Sequence, residues 1–413
     1  MDEKVGPRNL RVVIAVYEEG SVAGAARRLL RAPSAVARTV KEIESALSVP
    51  LFERGSGGMA PSIYGQTVYQ RARLVAAEFD AARKLCIEAG AHASAPLLSM
   101  MVSIRQLTAI VRLRELGRVG SAGETLGISQ PAVSAALGHI EQVLGSPLFR
   151  RTARAMVTTE FGEHFIFRLR RVLSEIERLK VDLSQLRGEL AGRVTLAALP
   201  SSKGSLLPRA ICRLVARHPQ AQISVIDAPY QELFAAVQSG EIDFILTSIT
   251  PEYRRKELRI HALGRERMAV VARAGHPLAG RQGLDVRELA AFPWVLRDPS
   301  APSRRFLDSV FKRIGLHDPR IAVQCADLGL LRGLLAQSDM LSAVSPQHLQ
   351  HELRDGLLAL LDVELPQSER EIGFVLREDI QPSALCLMLM DEIRIVLAEE
   401  RGALGGDERH LPA

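Results

Sequence analysis

The side chains with the clearest chemical use lie in the stretch Gly127–Ser134, which reads Gly-Ile-Ser-Gln-Pro-Ala-Val-Ser. The hydroxyl and amide groups of Ser129, Gln130 and Ser134 can form hydrogen bonds with base edges and phosphate oxygens. Cations that could follow a phosphate backbone come shortly afterwards, at Arg150, Arg151 and Arg154. Polar side chains followed by exposed cations indicate recognition of nucleic acid.

The residues before and after this stretch predict three short helices. Apolar residues recur at helical spacing from Ile104 until Gly117, and a second helix is predicted over 119–126. Ser129 stands where an N-cap belongs, and Pro131 lies in the first turn, where its missing N–H does no harm. The third helix is predicted to run to Leu144, with Ala132 counted on its apolar face. This pattern is typical of a helix-turn-helix, with the third helix as its reading element.

A longer ordered set of residues resembles the LysR-type transcriptional regulators. After the Gly127–Ser134 stretch, its members are Ile140-Glu141, Pro147-Leu148-Phe149-Arg150-Arg151, Thr158-Thr159 and Gly162. The resemblance implies a winged helix-turn-helix, a long linker helix used for dimerisation and a two-lobed effector-binding domain. It also implies that Ser129, Gln130, Pro131 and Ser134 enter the major groove while the arginines follow the backbone. A compact helical bundle with no DNA role is the alternative.

The amino-terminal segment repeats this pattern at a fixed offset of 97 positions. The aligned pairs include Leu10 with Leu107, Gly20 with Gly117, Ile43-Glu44 with Ile140-Glu141, Pro50-Leu51-Phe52 with Pro147-Leu148-Phe149, and Gly65 with Gly162. A constant offset without gaps indicates a duplicated unit. Most LysR-type regulators have a single such unit, so this chain departs from the family there.

The two copies differ at the predicted reading helix. Ala32 replaces the N-cap residue Ser129, which costs about 1 kcal/mol of helix stability. Ser34 and Arg38 are the candidate DNA contacts of the first copy. One hypothesis is a second DNA-reading head, which we favour slightly. The other is a copy retained for packing or interaction.

The sequence predicts a multidomain protein: two all-α winged helix-turn-helix units, a long linker helix and a two-lobed α/β effector domain like the periplasmic binding proteins. The predicted boundaries are 1–63 for the first unit, 64–98 for a helix and linker, 99–160 for the second unit, 161–190 for the dimerisation linker helix, 191–400 for the effector domain and 401–413 for a tail. Apolar residues from Phe161 to Leu190 follow a heptad spacing. In this family the partner of such a stripe is the same helix of another protomer, so a homodimer or homotetramer is expected. A fold-back within the chain is the alternative.

Strands and helices alternate in the carboxyl-terminal half, which predicts a doubly wound α/β architecture. Lobe 1 is predicted over about 191–266 and 368–400, and lobe 2 over about 267–367. Three short sequence segments resemble the LysR effector domain: Leu207-Pro208, Ser239-Gly240-Glu241-Ile242-Asp243 and His276-Pro277-Leu278-Ala279. Residues 294–313 and 330–335 resemble the group that regulates sugar-binding-protein and protocatechuate catabolism genes.

Candidate effector contacts lie after predicted strands and at helix starts, where free N–H groups favour anions. They are Ser201, Ser202, Tyr230, Thr247, Ser248, Arg297, Ser300, Ser303 and Leu328. The functional hypothesis is a small carboxylate or sugar-like polyol held by hydroxyls and clamped by Arg297. The alternative is that the hydroxyls cap helices and that Arg297 is a surface residue.

Composition narrows the function classes. Residues 1–190 carry 26 basic against 19 acidic side chains, a net +7 where the whole chain carries +6, as phosphate binding requires. The sequence contains no hydrolase triad order, zinc-protease motif or P-loop, so no enzyme, cofactor or metal site is predicted. It also shows no long apolar run or signal-peptide pattern, which predicts a cytoplasmic protein without membrane contact. A solute-binding protein shares the two-lobed fold but would require export.

The sequence therefore predicts a DNA-binding transcriptional regulator controlled by a small effector. Its expected partners are double-stranded DNA, a small carboxylate or sugar-like effector, a second copy of the chain and RNA polymerase. An architectural DNA-bridging protein is one alternative. A regulator whose first helix-turn-helix is only an interaction module is the other.

Overall fold

The computed structural model describes most of the chain and divides it into two compact units. The described residues are 2–55, 58–88, 90, 98–188, 192–198, 200–204, 206–299, 301–317 and 319–405. The first unit comprises residues 1–192 with 239–241, and the second comprises 193–238 with 242–413. None of the helices within these ranges is long and apolar enough to cross a membrane.

The first winged helix-turn-helix consists of three helices, a two-stranded wing and a long helix. These are α1 (Pro7–Glu19), α2 (Val22–Leu29), α3 (Pro33–Leu47), β1 (Phe52–Gly55), β2 (Gly58–Pro61) and α4 (Ile63–Glu88). The Ser21 hydroxyl caps α2 by accepting a hydrogen bond from the Gly24 N–H. No side chain caps α3, as the alanine at position 32 predicts.

The second copy repeats this order. Its elements are α5 (Leu98–Met101), α6 (Ile104–Leu116), α7 (Val119–Leu126), α8 (Gln130–Leu144), β3 (Phe149–Arg151), β4 (Met156–Thr158) and α9 (Glu160–Leu186). The Ser129 hydroxyl caps α8 through the Ala132 N–H, and Gly117, Gly127 and Gly145 end the three helices in the left-handed conformation. The prediction that Ala132 lies on the apolar face of α8 was wrong, since Ala132 is exposed. The buried face of the helix includes Ala136 and Val143 instead.

Equivalent hydrogen bonds confirm the duplication. The Glu44 carboxylate accepts from the Leu51 and Phe52 N–H groups at 2.8 and 3.3 Å. The equivalent Glu141 accepts from the Leu148 and Phe149 N–H groups at 2.7 and 3.2 Å. A side chain at Gly65 or Gly162 would clash with a backbone carbonyl at 2.0 Å in each copy. The two copies therefore share the same internal hydrogen bonds and the same close backbone contacts.

The apolar stripe of α9 packs against α4 of the same chain. The predicted partner of this stripe was the same helix of another protomer, but the observed partner is α4, as in the fold-back alternative. This correction concerns only the partner of the stripe and does not bear on whether chains assemble. Helix α9 ends at Leu186, so the predicted stripe residue Leu190 lies outside the described residues.

Lobe 1 of the second unit is a five-stranded sheet with helices. Its elements in this part of the chain are β5 (Arg193–Ala198), α10 (Pro200–Gly204), α11 (Leu206–Arg217), β6 (Gln222–Ile226), α12 (Tyr230–Ser239), β7 (Phe244–Ser248) and β8 (Leu258–Arg267). Strand β5 pairs in parallel with β6 and β7. The chain returns from lobe 2 to add strand β14 (Glu369–Arg377), and the sheet order is β6-β5-β7-β14-β8. Strand β8 was missed by the sequence analysis.

Lobe 2 contains two small sheets before the chain returns to lobe 1. Its elements are β9 (Ala269–Arg273), α13 (Val286–Leu289), β10 (Trp294–Leu296), α14 (Pro302–Ile314), β11 (Ile321–Gln324), α15 (Leu328–Gln337), β12 (Ser342–Val344), α16 (Gln350–Arg354) and β13 (Leu358–Leu360). The return is made by β14 (Glu369–Arg377) and α17 (Ala384–Gly405). Helix α17 extends five residues into the predicted tail, and residues 406–413 lie outside the described ranges.

One position differs in backbone strain between the two copies. Leu30 ends α2 in the left-handed conformation at φ 53°, where the second copy has Gly127. Its side chain is 94% exposed, so it gains almost nothing from packing. We expect Leu30→Gly to raise the free energy of unfolding by about 0.5–1 kcal/mol. The substitution releases the backbone strain of the folded chain, and the greater conformational entropy of glycine in the unfolded chain offsets part of this gain. Urea unfolding of the full chain measures this change.

The reciprocal variant is the matched control. A Cβ added at Gly127 meets no heavy atom within 4 Å, so Gly127→Leu introduces strain without a clash. It should lower the free energy of unfolding by a similar amount. Destabilisation by Leu30→Gly would show that the leucine side chain has a packing role.

Candidate nucleic-acid interface and effector cleft

The exposed row of α8 combines polar and very small side chains. Gln130, Pro131 and Ser134 are exposed, and Ala135 and Gly138 continue the row along the helix. The Ser129 hydroxyl points back to the helix start, where it accepts from the Ala132 N–H at 3.4 Å. Small side chains next to an amide and a hydroxyl let a helix approach base edges closely in a major groove.

The second wing carries exposed cations. Arg150 and Arg151 lie on β3, and Arg154 lies in the turn before β4. All three are exposed, and no ion pair within the described ranges engages them. The Thr152 hydroxyl shapes the turn by accepting from the Ala155 N–H at 3.1 Å. The wing therefore presents charges suited to phosphate contact.

The first copy presents a different row at the equivalent positions. Ser34 is exposed on α3, and so are Arg38 and Lys41, which replace Ala135 and Gly138. The Arg38 guanidinium pairs with Glu42 one turn later at 2.9 Å. Both predicted residues are thus available at the surface of α3. The wing tip of this copy, residues 56–57, lies outside the described residues.

A cleft of about 1280 Å³ opens between the two lobes of the second unit. Six of the predicted effector residues line it: Tyr230, Thr247, Ser248, Arg297, Ser303 and Leu328. Ser202 is buried and is not among the lining residues. The predictions for Ser300 and for the Ser201 side chain fall outside what the structure describes.

A buried charged cluster lies next to this cleft, and its member Arg370 lines it. The Glu266 carboxylate lies 2.5 Å from the Arg370 Nε and 3.7 Å from the His348 Nε2. Burial alone would raise the pKa of Glu266, but the neighbouring His348 and the Arg370 charge lower it. Burial lowers the pKa of His348, although Glu266 opposes this effect. The Arg370 charge therefore favours the ionised form of Glu266, and burial favours the neutral form of the His348 imidazole.

The partly buried Arg297 adds a second cation beside this cluster. Burial and the neighbouring Arg370 charge lower the pKa of Arg297. The buried Nε of Arg297 and Nη1 of Arg370 have no hydrogen-bond partner among the described residues. A small recess of about 70 Å³ is lined by both guanidiniums and by His348. Two unsatisfied cationic donors at one recess are the chemistry of an anion site.

Sequence reasoning missed several charged residues in the cleft or next to it. Arg370 and Glu266 lie on adjacent antiparallel strands and are paired directly across them. They are distant in sequence, so no local motif could identify them. Lys203, which follows the predicted Ser201-Ser202 pair, contacts Asp227 at 3.2 Å. A basic residue shortly after the first strand is a sequence signal that could have identified it. Arg332 is already engaged by the His348 carbonyl at 2.8 Å.

Comparison with known proteins identifies the class. Residues 7–66 and 104–163 each match the bacterial regulatory helix-turn-helix model of the LysR family, and residues 187–398 match the LysR substrate binding domain. The chain belongs to the LysR family of transcriptional regulators, and its two amino-terminal units are two copies of that family's DNA-binding domain.

The chain is similar to a particular full-length relative. It is 38% identical over 391 residues to the HTH-type transcriptional regulator GalR of Pseudomonas putida, covering 95% of this chain and 97% of GalR. An alignment of that extent includes both amino-terminal copies.

Two solved structures share the fold. A full-length OxyR variant from Pseudomonas aeruginosa has a TM-score of 0.54 at 20% identity and covers 71% of this chain and 95% of its own. CbnR, complexed with its target DNA, has a TM-score of 0.51 at 19% identity and covers 71% of this chain and 100% of its own.

The lowered pKa of His348 predicts a dependence of stability on pH. Because its folded pKa lies below the unfolded value of about 6.5, the unfolded chain binds the proton more readily. This stability is fully present above about pH 6.5 and is lost as the pH falls towards the folded pKa. We expect urea unfolding between about pH 7 and pH 5 to show a smaller pH dependence in His348→Gln than in the wild type.

The exposed His317 provides the control. His317→Gln makes the same substitution at a solvent-exposed position, so it separates the effect of the buried His348 from the loss of an imidazole as such. An identical pH dependence in the wild type and His348→Gln would contradict the assignment of a neutral buried His348.

Proposed function

We propose that this LysR-family regulator reads DNA through α8 and the wing after it, and responds to an anionic small molecule bound in the cleft. The family membership supplies the DNA-binding and effector-binding roles. The particular residues and the charge of the effector are our proposal. The observation that carries it is the pair of guanidiniums, on Arg297 and Arg370, whose buried N–H groups have no hydrogen-bond partner among the described residues.

Base recognition is assigned to the exposed row of α8, and phosphate contact to the wing. Gln130 can pair with an adenine edge, and Pro131 and Ser134 complete the contact surface in the groove. Ser129 fixes the start of the helix through its cap and directs the free N–H groups of the first turn towards phosphate. Arg150, Arg151 and Arg154 neutralise backbone charge without reading sequence.

Two substitutions separate these roles. Gln130→Ala should lower discrimination between the operator and scrambled DNA by about 1–3 kcal/mol, because it removes a base contact. Arg151→Ala should weaken binding to both duplexes and reduce the salt slope by about 1, because it removes a phosphate contact. Fluorescence anisotropy at several salt concentrations measures both quantities. Equal losses on both duplexes for both variants would contradict this division.

The effector is assigned as a small carboxylate, with neutral sugar-like ligands as the competing class. Arg297 and Arg370 would hold its anionic group, and Ser303 would contribute a hydroxyl from the first turn of α14. Tyr230, Thr247 and Ser248 line the lobe 1 side, and Leu328 adds apolar contact from the start of α15. A ligand contacting both lobes favours one interlobe angle, which biases the regulator between two states.

Removing the Arg297 charge should have two opposite effects. Arg297→Gln should stabilise the effector-free chain, because a buried cation without a hydrogen-bond partner at Nε is lost. The same variant should weaken carboxylate binding by about 2 kcal/mol, or about 30-fold, because a charged hydrogen bond is lost. Thermal unfolding against small mono- and dicarboxylates and neutral sugars, at equal ionic strength, measures both effects.

Arg254→Gln is the matched control, because it removes a cation from the exposed rim of the same cleft. This variant should keep most of the stabilisation by carboxylates, since a rim charge in water contributes little. Stabilisation by neutral sugars alone, unchanged in Arg297→Gln, would contradict an anionic effector.

The regulatory setting follows from the family. We propose that the protein acts on chromosomal DNA in the bacterial cytoplasm, assembles as a homodimer or homotetramer, and acts at a promoter together with RNA polymerase. The relative GalR is a bacterial transcriptional regulator by name, which supports this setting.

A further inference from the structure

We propose that one chain carries a complete two-headed DNA-binding unit that recognises an operator with two unequal half-sites. The unit, named the pseudo-dimer here, consists of residues 7–186 and joins the two helix-turn-helix copies through an antiparallel α4–α9 pair. The inference rests on the proposed DNA-reading role of α8 and extends it to α3.

Reciprocal ion pairs define the symmetry of the pseudo-dimer. The Arg71 Nη1 on α4 lies 2.7 Å from Glu175 on α9, and the Arg168 Nη1 on α9 lies 3.1 Å from Glu78 on α4. Shifted by the repeat offset of 97, Arg71 corresponds to Arg168 and Glu78 to Glu175. As the position on α4 advances by seven, its partner on α9 retreats by seven. That relation requires antiparallel helices related by a two-fold axis.

The apolar contacts follow the same symmetry. Both helices bury the same row of positions, which on α4 are Gly65, Val68, Ala72, Val75, Phe79, Ala82 and Cys86, and on α9 are Gly162, Phe165, Leu169, Val172, Ile176, Leu179 and Leu183. One continuous hydrophobic cluster includes buried residues of both copies, from Val5 to Leu183. The two copies thus form a single folded body, as an isologous dimer does.

The amino-terminal end of the first copy also contacts the second copy. The Glu3 carboxylate accepts hydrogen bonds from the Ile104 and Arg105 N–H groups at 3.2 and 2.8 Å. It therefore satisfies free donors at the start of α6 and places a negative charge at the positive end of that helix. This contact fixes the second head relative to the first independently of α4 and α9.

The two-fold relation has a direct consequence for DNA. It carries the exposed row of α8 onto the exposed row of α3, so the heads present equivalent surfaces in opposite orientations. Two heads of this kind fit half-sites in inverted orientation, since operator symmetry mirrors protein symmetry. In this chain the symmetry arises within one polypeptide, so one chain suffices for both half-sites.

The half-sites are unequal because the reading rows differ. Where α8 presents Ala135 and Gly138, α3 presents Arg38 and Lys41. Cations contact phosphates or guanine edges, whereas the small row of α8 permits closer approach by its polar side chains. The uncapped start of α3 also lacks the Ser129 hydroxyl. We therefore expect stronger sequence selection in the half-site read by α8.

The test uses the full chain and a duplex that the wild type selects from a random-sequence library. Arg38→Glu and Ala135→Glu occupy equivalent exposed positions, so they disable one head each by the same charge repulsion. Each variant should lose protection of one half-site in a footprint, and affinity should fall by about 100-fold or more as two linked contacts become one. Circular dichroism and the unfolding midpoint check that both variants fold.

Mixing the two variants decides whether the heads pair within one chain. If α4 pairs with α9 of the same chain, every pseudo-dimer in the mixture has one disabled head, so wild-type affinity does not return. If α4 pairs with α9 of another chain, exchange creates units with two intact heads, and recovery of affinity would overturn the proposal. An unchanged footprint with Arg38→Glu alone would also overturn it.

The controls separate this inference from the proposed function. If the wild type selects no DNA, the proposed function fails. If Ala135→Glu abolishes binding while Arg38→Glu has no effect, α8 reads DNA and only the two-headed inference fails.

Discussion

The buried charges between α4 and α9 are the constraint on which the amino-terminal half depends. Arg71 is only 8% exposed and Glu175 is fully buried, so neither can be left without a partner. Removing one member of such a pair costs about 3–5 kcal/mol, which exceeds the value of any exposed ion pair. Apolar stripes alone would tolerate sliding of one helix along the other. The reciprocal pairs permit one register, and that register fixes where the two reading helices point.

The effector cleft reverses this electrostatic arrangement. In the helix pair Arg71 and Arg168 each face a carboxylate, whereas the recess of the cleft brings Arg297 next to Arg370, whose ion pair is with Glu266. A surplus of buried positive charge reduces the stability of the empty cleft. The anionic effector that we propose would remove that cost on binding, so part of its affinity would come from strain already present in the protein. The same strain makes the state of the lobes sensitive to occupancy, which a ligand-controlled regulator requires.

Local sequence signals predicted most of the elements but not the contacts that join them. Ser129, Gly117 and Gly127 predicted the helix boundaries because caps act within one turn, and the offset of 97 predicted the duplication. The partner of α9 was predicted from the family to be the same helix of another protomer, whereas in this chain α9 packs against α4, the equivalent helix of the first copy. Arg370 and Glu266 meet across two strands that are far apart in sequence. Such pairs depend on sheet register, which no local pattern encodes.

Pairing of the heads within one chain changes what assembly must achieve. In a regulator with one head per chain, DNA recognition depends on chain concentration, because two chains must meet before both half-sites are bound. A covalently joined pair has a fixed effective concentration and forms at any expression level. Association of chains is then no longer needed to complete the reading unit, and any further assembly adds whole two-headed units. Covalent linkage also allows each head to diverge alone, because a substitution in one copy is no longer repeated by symmetry in the other. The two copies differ in this way, since α3 is uncapped and presents Arg38 and Lys41, whereas α8 is capped and presents Ala135 and Gly138.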